Sequence, residues 1–420
     1  MATRSTFKNP MTMRATLLIL LLIGFSVSAG AEVAPRTERI PALETNSAIA
    51  KARQSDDQVK RYLYVAVPGL RRYLEHGGHG LLVFDIEDHY RFVKRIPVAG
   101  LLREDTPEIG GGVTPAGQPS NVKGIVASVA TNSIYISNLE TMQRVDLATE
   151  EVVWEKEYEG GADRMAISPD GKTIFLPSLE KEHWHVVDAE SGEVLHRIVS
   201  GNSGAHNTIA GPDGKEVYLG GLRTNSLGIV DAETYEVIRQ VGPLGGPVRP
   251  FTINSEQTLA YINVNGLLGF EIADLKSGKL LHRIDVTNEG FEAKQPLRHG
   301  VFSHGVGLTP DETEVWVVDG ANESLHVYDN TVMPPVYKQS IKLRKQPGWI
   351  TFSLDGKHAY APTGEIIDVE TKKVVAQLVD ETGALIKSEK IVEVHLTSDG
   401  KAVRVSDQFG IGRANVVARE

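Results

Sequence analysis

The chain contains no cysteine. Disulfides, thiolate metal sites, cysteine nucleophiles, covalent haem and a lipoprotein anchor are thereby excluded. A basic excess is also missing. Lys and Arg number 44 against 54 Asp and Glu, a net charge of -10. No basic patch stands out, which argues against nucleic acid as a partner. There is no Gly-x-Ser-x-Gly elbow, no His-Glu-x-x-His pair and no phosphate-loop pattern. Long apolar runs are lacking too. Only Leu17 to Val27 is conspicuous, and a bilayer span needs about 20 residues.

What is present at the N-terminus reads as a secretion signal. Arg4, Lys8 and Arg14 precede that apolar run, and Ala29-Gly30-Ala31 supplies small residues for cleavage before Glu32. The expected organisation is a signal peptide over 1–31, a polar extension over 32–60 and one domain over 61–420. The extension is predicted to carry a short helix from Thr45 to Lys60. The expected location is periplasmic or secreted, with no transmembrane segment in the mature chain.

The rest of the chain is built on a repeat. An apolar strand, a turn and a second apolar strand recur. Ile167-Ser168-Pro169-Asp170-Gly171-Lys172 is the clearest copy, and Gly211-Pro212-Asp213-Gly214-Lys215 follows. Weaker copies centre on Glu256, Asp311, Asp355 and Asp399. Successive turns lie 43, 43, 55, 44 and 44 residues apart. Pro presets one φ angle and Gly accepts a positive one, so the motif is a hairpin turn. Each copy continues through two more Val- and Ile-rich runs too short for helices. Four short strands per 40–50 residues make a propeller blade. Counting from Tyr62 gives seven blades. The first lacks an inner strand, and Ile391 to Thr397 is a spare one. The expected fold is therefore all-β: a seven-bladed β-propeller of four-stranded blades, its ring closed by a C-terminal strand in blade 1. Lys401 to Gln408 has no assigned place.

The copy at 167–172, followed by Val186-Val187-Asp188-Ala189-Glu190-Ser191-Gly192-Glu193-Val194, resembles the YVTN-type β-propeller repeat of secreted prokaryotic proteins. The resemblance covers about residues 60–405. It implies the propeller fold and leaves function open, since relatives include lactonases, cytochrome d1-like domains and surface-layer proteins.

In a propeller, the loops leading into the inner strands gather at one mouth of the central channel. Seven residues before each turn, the register gives Asp163 (beside Arg164), His206, Arg249, His304 and Gly348 (beside Trp349); Lys123 is the counterpart in blade 2. The fifth unit is about a dozen residues longer, the excess lying between Thr287 and His304 and including Arg298 and His299. Such an insertion is a candidate lid. The ligand-binding set is thus Lys123, Asp163, Arg164, Arg249, His299 and Trp349, with His206 and His304 as proton-transfer candidates. A divalent metal is a candidate cofactor, on His206, His299 and His304. The alternative for each histidine is a structural place at a blade joint. Two outlying pairs, His76 with His79 and His183 with His185, read as a flexible polar loop and as a solvated or interblade pair.

Two functions follow. One is an accessory envelope propeller, expected to be monomeric, that binds a small anionic molecule or an envelope protein without chemistry of its own. The other is a lactonase-like or lyase-like enzyme acting on a carboxylated or sugar-derived substrate, with metal assistance. If the second holds, the His and Arg side chains converge in one place beneath the insertion. If the first holds, neighbouring carboxylates satisfy them.

Overall fold

The computed structural model describes residues 59–98, 100–107, 113–201, 203–296 and 299–417. The signal peptide, the helix expected from residue 45 and Arg298 lie outside the described residues.

Seven antiparallel sheets form a ring, a seven-bladed β-propeller. From the channel outward, blade 3 runs Ala166–Ile167, Thr173–Pro177, His183–Asp188 and Val194–Val199. The turn chemistry explains why the repeat reads as it does. Ser168 Oγ donates to Asp170 Oδ1, and Asp170 Oδ1 also accepts the Lys172 backbone N–H. Gly171 then takes a φ of 72°, which a side chain disfavours. Ser353, Asp355 and Gly356 repeat this arrangement. Two of the weaker copies place Gln257 and Glu312 at φ 54° and 61° instead. The second recurring turn has its own device. Asp188 Oδ1 accepts the Ser191 backbone N–H, Asp231 that of Thr234 and Asp368 that of Thr371.

The core lies between blades. Trp184 and Trp316 are fully buried, and Phe175, Phe251 and Phe270 fill the same kind of interface. Burying one such side chain contributes about 1.5–3 kcal/mol.

Blade 1 closes the ring as expected. Ile391–Leu396 pairs antiparallel with Lys60–Val67, Tyr62 opposite Val394. The domain therefore begins with a strand at Lys60, where the sequence placed the last turn of a helix. The tail also has a place. Ala402–Val405 adds a fifth strand inside blade 1. Residues 407–413 then enter the channel. Gln408 accepts from the Ile125 backbone N–H and donates to Met165 O. Its own carbonyl accepts from Trp349 Nε1. Gly410 O accepts from Thr252 Oγ1 and the Leu308 N–H, and Gly412 N–H donates to Ile253 O. One short segment thus bonds to the inner strands of five blades.

Candidate functional site

The site lies where the inner strands begin, opposite the Asp-Gly turns. Asp163 and Arg164 precede the inner strand of blade 3, and His206 and Asn207 stand in that of blade 4. Arg164 and Asn207 form a parallel bridge between the two blades. Asp163 is fully buried. Its Oδ2 accepts from His206 Nδ1 at 2.5 Å, and its Oδ1 lies 3.5 Å from Lys123 Nζ. Burial pushes the Asp163 carboxyl up, but His206, Lys123 and Arg164 outweigh it and bring it down to about 2. Burial also lowers His206, against the pull of Asp163, so its ring is neutral at pH 7.

A second group adjoins it through Arg164. The guanidinium lies 4.1 Å from the Trp349 ring centroid and donates to Glu389 Oε2 at 3.0 Å. Lys390 Nζ shares that oxygen at 3.1 Å and also donates to Gly69 O. Burial lowers the Lys390 ammonium to about 7, Glu389 opposing. Burial raises Glu389, but Lys390, His299, His304 and Arg164 more than reverse it, so the carboxylate stays ionised.

The other oxygen, Glu389 Oε1, lies 3.2 Å from His299 Nε2. The geometry is not that of a hydrogen bond, and neither atom has a hydrogen-bond partner. The His299 ring stacks on His304, centroids 4.1 Å apart. His304 Nδ1 donates to Gly348 O at 3.0 Å, which leaves Nε2 as its lone-pair nitrogen. Burial, offset in part by Glu389, takes His299 down to about 4, and burial takes His304 well below the usual histidine range. One donor atom from each of His299, His304 and Glu389 lies within 4.8 Å of the others. Among the described residues, these three are the group placed to hold a metal.

The insertion supplies His299, and among its described residues 290–296 and 299–305 form no strand. The anticipated metal set changes. His206 is separate from His299 and His304, because it is engaged by Asp163 one blade away, and Glu389 takes its place. Arg249 does not join the group: its Nε donates to Asn265 Oδ1, and Glu180 is its charged neighbour. Trp349 is only 4% exposed, so it forms the channel wall under Arg164. His183 and His185 share the Glu159 carbonyl, 3.0 Å from each Nε2, as an interblade pair.

Glu389 and Lys390 were missed. Register points to Val392 in blade 1, two residues inside the strand. The signal was there in Lys387-Ser388-Glu389-Lys390, a charged run abutting an apolar strand.

Both marks set out for the two functions are present. Arg164, His299 and His304 converge at Glu389 while Arg249 stands apart, and the carboxylates of Glu389 and Asp163 engage Arg164, Lys390, Lys123 and His206. A cavity of about 730 Å³ lies at the opposite end, among Asp170, Asp213, Phe409 and Arg413, and none of the mouth residues lines it. Among the described residues, no helix is long and apolar enough to cross a membrane.

No family model matches the chain, and no curated protein matches it significantly. Among solved structures, a chain of Kuenenia stuttgartiensis hydrazine synthase is similar, with a TM-score of 0.43 and 16% identity over 64% of this chain and 97% of that one.

Proposed function

We propose that this is an exported propeller of the YVTN-repeat kind whose channel mouth binds a small anionic molecule. The observation that carries this reading is an imbalance of buried charge. Among the described residues, Lys123, Arg164 and Lys390 share two carboxylates, Asp163 and Glu389. Asn207 Nδ2, a buried donor beside Arg164, has no hydrogen-bond partner. Residual positive charge in a desolvated site favours an anion, and a guanidinium suits a carboxylate or phosphate. Export rests on the N-terminal pattern alone.

The test is calorimetric titration with inorganic phosphate and with a series of short hydroxycarboxylates at low salt. At least one should bind saturably at one site per chain, and Lys123→Gln should weaken it about tenfold, roughly 1.4 kcal/mol. Absence of saturable binding across the series at millimolar concentration would end this reading.

A second reading draws on the Asp163–His206 pair. A neutral imidazole oriented by a buried carboxylate is a competent proton acceptor. It would serve lactone hydrolysis or β-elimination on a carboxylated, sugar-derived substrate. Proton release from a sugar lactone in a pH-stat, abolished in His206→Asn, would support it. Equal rates in both proteins would remove it.

A further inference from the structure

We propose that His299, His304 and Glu389 form a binding site for a divalent first-row transition metal, with zinc the ion that the donors fit best. Two imidazole nitrogens and one carboxylate oxygen are donors that zinc accepts, whereas magnesium and calcium ask for oxygen throughout.

Four observations converge on this. The first is the placing of the donors. His299 comes from the insertion, His304 from the approach to blade 6 and Glu389 from the approach to blade 1, yet their donor atoms meet within 4.8 Å. The second is the state of two of those atoms. His299 Nε2 and Glu389 Oε1 are buried and face each other at 3.2 Å without a hydrogen bond. Buried polar atoms without partners are rare and call for an explanation. A shared cation gives both atoms a partner at once.

The third is the outer shell. Metal-bound histidines usually donate their other nitrogen to a carbonyl or carboxylate, and bound carboxylates are themselves hydrogen-bonded. His304 Nδ1 donates to Gly348 O, and Glu389 Oε2 takes Arg164 and Lys390. The fourth is Gly348 itself. A Cβ there would lie 2.2 Å from His299 Nε2 and 2.5 Å from Glu389 Oε1. The backbone closes on the donors so tightly that only glycine fits.

Three protein donors leave coordination positions for water or another ligand. A metal here would give the anion of the preceding section a direct contact. That use rests on the anion reading, while the metal site stands on its own donors.

The experiment separates the two. Chelator-stripped, full mature protein is titrated with zinc chloride in a non-coordinating buffer, with no anion added beyond chloride. The expected result is one ion per chain at a dissociation constant of about 1 μM or tighter. His299→Ala should weaken binding by more than the roughly 100-fold that loss of an outer-shell partner costs. The exposed His196→Ala should bind as the parent does. Because His299 sits on a loop, its variant should keep the parent's circular dichroism, which distinguishes lost ligation from unfolding. No saturable zinc binding by the parent, or undiminished binding by folded His299→Ala, overturns the site. Cobalt(II) loading gives the second readout. Visible bands that change on adding phosphate or a hydroxycarboxylate place the anion on the metal. Bands that stay fixed while the anion still binds refute that shared use and leave both sites separate.

Discussion

His206 of blade 4 donates through Nδ1 to Asp163 of blade 3 at 2.5 Å, joining two blades at the mouth of the channel. The pair has an acid signature. Asp163 titrates lower in the folded chain than in the unfolded one, so it binds its proton later as the pH falls. Its stabilisation is complete above about pH 4 and disappears as the pH drops toward 2. His206, lowered by burial, acts in the same direction from about pH 6.5 downward, because the unfolded chain takes up its proton first. Urea unfolding at pH 7, 4 and 2.5 should show the parent losing more stability than Asp163→Asn across the lower interval, by on the order of 2 kcal/mol, the share that Asp163 adds to the loss from all carboxylates. An unchanged acid limb in the variant would contradict the assignment.

Gly348→Ala should lower affinity for zinc severely, because its new methyl group must push aside His299 or Glu389. The forced shift should also cost about 1–3 kcal/mol of stability. Measuring both in the same preparation checks the tight approach directly. A variant with parental zinc affinity would show that the loop yields.

Gln408→Ala removes a buried side chain bonded to blades 2 and 3. The Ile125 N–H and Met165 carbonyl are left buried and unpaired, at a cost of about 1–3 kcal/mol each. The denaturation midpoint should fall while the slope with denaturant holds. No change would mean that the tail is dispensable to the ring.

Gln257 occupies a left-handed turn position where the strong copies carry glycine. Gln257→Gly should be neutral or stabilising by up to about 1 kcal/mol, whereas Gly171→Val should destabilise by more than that. Thermal melts of the two variants test the pair, and destabilisation of similar size in both would refute the turn argument.

Much of the scaffold could be read beforehand because its determinants are local. Asp170, Gly171 and their counterparts act within a few residues, so their spacing announces the blades. Closure was legible as well, since one spare strand matched one missing strand. The site was only half legible. Asp163, Arg164, His206 and His304 follow from a repeated offset, but Glu389 reaches the mouth on a loop where that offset fails. Its importance lies in meeting His299 and Arg164 across the ring, which no local pattern encodes. The path of residues 407–413 was hidden for the same reason. Asp407-Gln408-Phe409-Gly410 belongs to no repeat, and its partners are distributed among inner strands far away in the chain.

The pairing of Lys60–Val67 with Ile391–Leu396 sets a timetable. Arg61 and Glu393, hydrogen-bonded across this seam, stand 332 positions apart. Blade 1 has no inner strand until the far end of the domain has been synthesised, so the earlier blades must wait with a ring that is still open. Contacts of such long range make assembly slow, because the cost of closing the loop precedes the gain. A chain that completes its fold this late stays threadable for most of its synthesis.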